Sequence, residues 1–337
     1  MYDPVKENIE VSVIMLMYNH EKYIHEAVKG VLNQECDFNI ELILHDDCSA
    51  DNTKMVIEQF KSHENYHRIK YYCNSQNVGA NQNWLLACER ATGRYIAPCD
   101  GDDYWTDPLK LQKQINYCNK HPDVGLIFTD IDFYIEETGE FEKSIFKNGL
   151  YTFKIDFIQH LINAFYYAPS TWVMKTEVLK KVKKDHYYSD VSYTLMLYFL
   201  KLSNVAMLSD STAVYRSRIE SASHSHDKSK MYKWWKGVNH TQLTLANYFS
   251  VDNCTMELLK VHLYSYTLSQ YAFELRDTEF IEEAKNFFKS IKRDYLFSAL
   301  KVEYYSNQEK RRKSYRMYKY LYNLFIKLKI SLFEANR

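Results

Sequence analysis

Asp100, Asp102 and Asp103 put three carboxylates within four residues, with Gly101 between the first two. Charges this close repel unless a cation or hydrogen-bond donors offset them. Hard divalent cations take carboxylate and phosphate oxygens. Mg²⁺ in particular uses a few carboxylates together with substrate phosphates, not a full protein cage. Asp100 and Asp102, spaced i and i+2, suit that role, and Gly101 lets the backbone approach a ligand closely. The same residues also read as a solvated acidic turn that caps the following helix. Two other polar groups follow apolar runs: Tyr18-Asn19 after Met17, and Asp46-Asp47. The Tyr18 ring offers a face for stacking or for ordinary packing. Asp46 and Asp47 offer acceptors, or caps for the helix that starts after Asp51-Asn52.

The elements that must hold these groups are legible from periodicity. Val11–Leu16, Glu41–Leu44, Ile69–Tyr72 and Tyr95–Cys99 are apolar runs of strand length. Between them, residues 21–34, 53–62 and 81–91 carry helical spacing, the last with Trp84, Leu85 and Cys88 inward. Four alternations with short links predict an α/β doubly wound, mainly parallel sheet with helices on both faces. Ligands of such sheets sit beyond the carboxyl ends of the strands. Tyr18-Asn19, Asp46-Asp47 and Asp100–Asp103 then share one rim.

After Asp103 the pattern becomes α+β. A helix is expected from Pro108 to about Lys120, a strand over Val124–Thr129 and a hairpin turn at Glu136–Gly139. A helix over Thr152–Asn163, a strand over Ser170–Met174 and a helix over Asp190–Leu202 follow. Two short strands, Val205–Leu208 and Thr212–Tyr215, complete this half. Residues 229–333 are dominated by helical periodicity. The expected division is therefore a first domain over 1–226 and an all-helical C-terminal domain over 227–337.

Hydrophobic residues make up 46% and charged residues 26%, so the chain is globular rather than disordered. The formal net charge of zero hides an asymmetry: residues 285–330 carry 13 Lys/Arg against 3 Asp/Glu. The acidic remainder argues against nucleic acid as the main ligand, which would need a basic stripe along the site. The basic tail includes an amphipathic stretch, Lys310–Phe333, suited to a membrane surface or to a partner helix such as a second copy. Seven cysteines with no C-x-x-C pair suggest neither a disulfide framework nor a zinc site. The opening residues MYDPVKENIE lack a signal's apolar core, and no run is long enough to span a bilayer. The expected place is the cytoplasm, with peripheral contact at the inner membrane face.

The segments VSVIMLMYNHEKYIHEAVKGVLNQ, ELILHDDCSADNT and NVGANQNWLLACERATGRYIAPCDGDDYWTDPLKLQKQ occur in that order. Together they resemble the family 2 glycosyltransferases of the GT-A fold, and DGDDYW resembles one bacterial subgroup. The resemblance covers roughly residues 9–220. It implies inverting transfer of a sugar from a nucleoside diphosphate, here UDP by expectation, to a hydroxyl of a glycan or lipid-linked acceptor, with Mn²⁺ or Mg²⁺ as cofactor. It assigns Asp102 to the metal, Asp100 to the metal or ribose, and Asp103 to orienting them or binding the sugar. Asp46 reads the base, with Asp47 beside it, and Tyr18 stacks on the base next to Met17 and Asn19. Asn77 and Asn83 line the nucleotide pocket.

Inverting transfer needs a base for the acceptor's proton. Asp190 is the candidate, with Asp185 as the alternative; the plainer reading of Asp190 is a helix N-cap. AVYRSRIESASHSHD resembles the family's Tyr-Arg element, which implies that Arg216 or Arg218 contacts the diphosphate. His224 or His226 is a candidate third metal ligand, or part of a polar linker. Two departures from the family pattern stand out: Leu16-Met17 replaces Pro-Thr, and Asn81-Gln82-Asn83 replaces a triplet with a central Arg. A non-catalytic nucleotide-sugar-binding or scaffold protein on the same fold is the competing reading. A dehydrogenase is disfavoured because the chain has no G-x-G-x-x-G.

Overall fold

The computed structural model describes residues 8–150, 155–164, 167–186, 190–218, 227–265, 271–272 and 274–290. The chain forms two compact units: residues 1–224 with 240–245, and residues 225–239 with 246–337.

In the first unit, β1 (Ile9–Met17), β2 (Asn39–Asp46), β3 (Ile69–Cys73) and β4 (Tyr95–Pro98) pair in parallel, in the order β3-β2-β1-β4. Parallel neighbours need crossovers. Helices α1 (Ile24–Leu32), α2 (Thr53–Glu58) and α3 (Ala80–Arg90) supply them. Both faces of these strands are therefore covered, and Val11, Val13, Met15, Leu42, Ile43 and Leu44 are fully buried. Helix α1 turns Ile24, Ala27, Val28, Val31 and Leu32 inward, the 3–4 spacing of one helix face. In α3 the inward residues are Asn83, Trp84 and Ala87, a different register from the expected Trp84, Leu85 and Cys88. The polar Asn83 takes a core position because His45 and Asn74 satisfy its amide.

The second half extends the sheet with β5 (Tyr104–Trp105), β6 (Val124–Ile135), β7 (Glu140–Glu142), β8 (Val173–Lys175) and β9 (Asn204–Ser217). Strand β8 inserts antiparallel between β4 and β6, β9 runs parallel to β6, and β5 pairs antiparallel with β9. The result is one mixed sheet, with β7 folding back on β6 through the turn at Glu136–Gly139. The two short strands expected at Val205–Leu208 and Thr212–Tyr215 are one strand, β9. Its register to β6 shifts after Thr129–Leu208, so an irregularity, not a break, separates the two apolar runs. Pro169–Thr171 forms a 3-10 turn where the strand was expected to begin, and Ser170 and Thr171 are buried there. Helix α4 (Lys110–Lys120) starts two residues after Pro108, and α5 covers Phe157–Asn163; residues 151–154 lie outside the described residues. After the short helix α6 (Thr176–Leu179), α7 (Val191–Leu202) buries seven consecutive residues, Tyr193–Phe199.

The second unit contains α9 (Asn253–Ser265), α10 (Thr278–Ser290) and most of α8 (Lys228–Tyr248). Tyr232, Ala272 and Phe280 form a small core there. Asp277 accepts from Tyr232 Oη at 2.7 Å and Lys236 Nζ at 2.8 Å, and it caps α10 through Phe280 N at 3.0 Å. The basic stretch 310–333 lies outside the described residues. Among the described residues no helix is long and apolar enough to cross a membrane.

Candidate active site

The carboxyl ends of β1, β2 and β4 form one rim because these strands are parallel and in register, Met17 beside Asp46 and Ile14 beside Pro98. The ladder continues past the strands: Asp47 N donates to Met17 O, and Gly101 N donates to Leu16 O, both at 2.9 Å. The three polar groups expected to meet do meet.

On the β1 side, Tyr18 is 47% exposed. Asn19 adopts φ 56°, a left-handed conformation that Asn tolerates. Its Oδ1 accepts from Ala50 N and its N–H donates to Ser49 Oγ, both at 2.9 Å, which locks the β2 loop against β1. Met17 is buried, so only its backbone reaches the rim.

Asp46 is buried and already committed. One oxygen accepts from Ser49 N at 2.9 Å and Ser49 Oγ at 2.6 Å, the other from Tyr71 Oη at 2.7 Å. Asp47 is also buried and accepts from Asn74 Nδ2, Val78 N and Gly79 N at 2.8–2.9 Å. Gly79 sits at φ 83° as the cap of α3, a conformation that favours glycine. Both carboxylates therefore shape the rim loops. Asn83, expected in the pocket, is buried in the network with His45 and Asn74, and its side chain does not reach the surface. Asn77 is exposed on the rim, with Oδ1 accepting from Gly79 N at 3.1 Å.

The aspartate cluster is asymmetric. Asp103 is buried and accepts from Arg216 N at 3.0 Å. Burial, with Asp102 and Asp100 beside it, pushes its carboxyl well above the carboxylate range. Asp103 is thus a supporting residue, not one that faces solvent. Asp100 is half-buried, and burial with the fields of Asp102 and Asp190 raises it to about 7. Asp102 is 20% exposed in its side chain; its Oδ2 pairs with Arg218 and lies 4.0 Å from His20 Nε2. Gly101 is needed for a reason other than ligand approach: a Cβ there would stand 2.7 Å from His20 Nδ1 and 3.1 Å from Leu16 O.

Arg216 is spent on structure. Its Nε donates to Asp102 O at 3.0 Å and its Nη2 to Glu26 Oε2 at 2.8 Å. Its guanidinium lies 5.0–5.5 Å from the ring centroids of Tyr23, Tyr104 and Tyr134. Spacing alone did not single out His20. It follows Tyr18-Asn19 directly, so its place on the rim was the available signal. Its ring is mostly enclosed, with Nδ1 buried and without a hydrogen-bond partner among the described residues, and burial lowers its pKa against the opposing pull of Asp102.

Asp190 caps α7: Oδ1 accepts from Tyr193 N at 3.0 Å and Ser192 Oγ at 2.6 Å. Among the described residues its Oδ2 has no hydrogen-bond partner, and its field acts on Asp100. Asp185 is exposed on a 3-10 turn beside His186. His224 and His226 lie outside the described residues. Among the described residues no three His, Cys, Asp or Glu converge as a full metal cage. Asp102 and Asp100 instead offer part of a hard-oxygen set, which suits a divalent ion that is also held by phosphates. Asp102 Oδ2 already draws a guanidinium and an imidazole towards it. A cavity of about 400 Å³ lined by Tyr117, His121, Asp123 and Asn204 opens at the other strand ends, where β6 and β9 begin, away from these carboxylates.

The chain is 29% identical over 237 residues to an uncharacterised protein of Mycobacterium bovis, 68% of this chain and 65% of that protein. It is 38% identical over 107 residues to a putative teichuronic acid biosynthesis glycosyltransferase, TuaG, of Bacillus subtilis, 32% of this chain and 41% of that one. The chain thus spans 65% or less of the length of these relatives. The S. aureus TarS fragment 1–349 in complex with UDP-GlcNAc superposes with a TM-score of 0.62 at 18% identity, covering 88% of this chain and 87% of that one. The mannosyltransferase PcManGT from Pyrobaculum calidifontis, with GDP-Man and Mn²⁺, gives 0.54 at 14% identity over 89% and 86%. These two likenesses identify the GT-A fold. The family model described as glycosyl transferase family 2 matches residues 12–183, just over half of the chain and the part that carries β1 to β4 with their rim. Three polar groups on that rim, a sheet of the GT-A type and this match together mean that the chain belongs to glycosyl transferase family 2.

Proposed function

We propose that the chain is an inverting, metal-dependent glycosyltransferase that moves a sugar from a UDP-sugar to a hydroxyl of a glycan or lipid-linked acceptor. The reading is supported by one observation: Asp190, whose Oδ1 caps α7, lies near enough to Asp100 for its charge to raise that carboxyl, so a base candidate and a metal candidate are neighbours. Tyr18 stacks on the base, and Asp46 and Asp47 fix the loops that frame it. Asp102 and Asp100 hold Mn²⁺ or Mg²⁺, which when bound offsets the charge growing on the leaving diphosphate. Asp103 and Arg216 hold the Asp102 backbone in place. Asp190 takes the acceptor's proton as the acceptor oxygen bonds to C1 of the sugar and the bond from C1 to the diphosphate breaks.

UDP as the carrier is supported by the TarS complex, and surface polysaccharide or cell-wall glycan assembly by the name given to TuaG. Because PcManGT was crystallised with GDP-Man, the test includes both bases. Thermal shift with UDP and GDP, each with and without Mn²⁺, should show stabilisation by UDP that needs the metal. No response to either nucleotide, with or without Mn²⁺, would overturn the reading.

A further inference from the structure

Arg218 pairs with Asp102, the carboxylate assigned above to the metal ion. Its Nη2 pairs with Asp102 Oδ2, the more exposed side of the aspartate cluster, and its guanidinium lies 5.0 Å from the Tyr23 ring centroid. Two features distinguish it from Arg216. Among the described residues the buried Nε–H of Arg218 has no hydrogen-bond partner, whereas Arg216 uses Nε on Asp102 O and Nη2 on Glu26. Arg218 also stands just past the end of β9 at Ser217, so the ladder to β6 does not fix it.

We propose that Arg218 is a resident counter-ion that holds the Asp102 carboxylate until the divalent cation displaces it, which makes metal entry and Arg218 release one coupled event. This rests on the assignment of Asp102 to the metal. A guanidinium and a divalent cation compete for the same carboxylate, because both are cationic and a few ångströms of half-buried protein screen them poorly. The released fork needs an anion, and a diphosphate accepts its paired N–H groups better than water does. Metal alone must therefore compete with Arg218, while metal with a nucleoside diphosphate gives Arg218 a new partner. The two ligands become positively coupled, and the coupling is reciprocal. Arg218 is in this sense a positioning residue that keeps the empty cluster from collapsing or repelling itself apart.

The test is Mn²⁺ titration of the full chain, read by the signal of free Mn²⁺ in electron paramagnetic resonance, without any acceptor or turnover. Arg218→Ala should bind Mn²⁺ roughly tenfold tighter than wild type in the absence of nucleotide, about 1.4 kcal/mol. Arg218→Lys, which keeps the charge, should stay near wild type. Adding UDP should tighten Mn²⁺ binding strongly in wild type and much less in Arg218→Ala. A merely structural arginine would show the opposite: its loss would loosen the site and weaken Mn²⁺. Equal or weaker Mn²⁺ binding in Arg218→Ala, with binding still abolished by Asp102→Asn, overturns the proposal and leaves the proposed function intact. Wild-type Mn²⁺ binding in Asp102→Asn overturns the metal assignment itself, and the proposal with it.

Discussion

Asp190 has two candidate roles, and a pair of substitutions separates them. As an N-cap it uses Oδ1 alone, on Tyr193 N at 3.0 Å and Ser192 Oγ at 2.6 Å. As a base it uses Oδ2. Asn caps a helix about as well as Asp, so Asp190→Asn keeps the cap and loses only the attraction of a charge to the helix dipole, about 0.5 kcal/mol. Asp190→Ala loses both, about 1–2 kcal/mol, and unties the first turn of a helix that buries seven consecutive residues. In a unit of this size each kcal/mol moves Tm by about 2–4 °C. The expected Tm losses are about 1–2 °C for Asn and about 2–8 °C for Ala. Transfer behaves differently: both variants lose the base and should fall by about 10²–10⁴ in kcat. The assay is release of nucleoside diphosphate with the best donor, beside a thermal melt of each variant. Wild-type turnover in Asp190→Asn would refute the base assignment. A melt as low for Asn as for Ala would refute the cap account.

Four further outcomes are expected. His160 is fully buried against Tyr167 and Tyr193, both ring nitrogens lack a hydrogen-bond partner among the described residues, and burial lowers its pKa to about 3. The folded state therefore keeps it neutral, and stability, full above the unfolded pKa of about 6.5, should decline as pH falls from there towards 3. At pH 5 the loss is about 2 kcal/mol by urea titration and should vanish in His160→Leu. Glu41 is buried beneath Lys70 Nζ at 2.5 Å, Ser12 Oγ at 2.5 Å and Thr92 N at 2.9 Å. Glu41→Ala strands those donors and should cost about 2–3 kcal/mol in urea, with UDP affinity unchanged because the contact lies at the opposite strand ends. Gly101→Ala should destabilise by about 1–3 kcal/mol and weaken Mn²⁺ binding, since its Cβ would meet His20 and the Leu16 carbonyl. A wild-type melt and Mn²⁺ titration would refute this. Arg216→Lys should not rescue Arg216→Ala in a thermal melt, because an ammonium cannot bridge Asp102 O and Glu26 while facing three tyrosines.

The sequence by itself determined the parallel half. Four apolar runs linked by helical spacing can satisfy their backbones only as buried parallel strands with crossovers, and that places Tyr18, Asp46 and Asp100–Asp103 on one rim. The place of Asp190 as a helix N-cap was equally legible, because capping is local chemistry. The antiparallel insertion of β8, the two-residue strand β5 and the single long β9 were not legible: each depends on a partner distant in sequence, and a two-residue strand carries no periodicity. The division of labour within the site was decided only by the tertiary structure. Asp46, Asp47, Asn83, Asp103 and Arg216 look like ligand-binding residues by type, yet their polar atoms are taken by protein partners. Asp102 and Arg218 stand 116 positions apart, and Arg218 meets the aspartate loop only because β9 closes the sheet beside β5. Spacing reports which residues share an element. Which carboxylate remains available to a ligand depends on burial and on competing donors, and those exist only once the chain has folded.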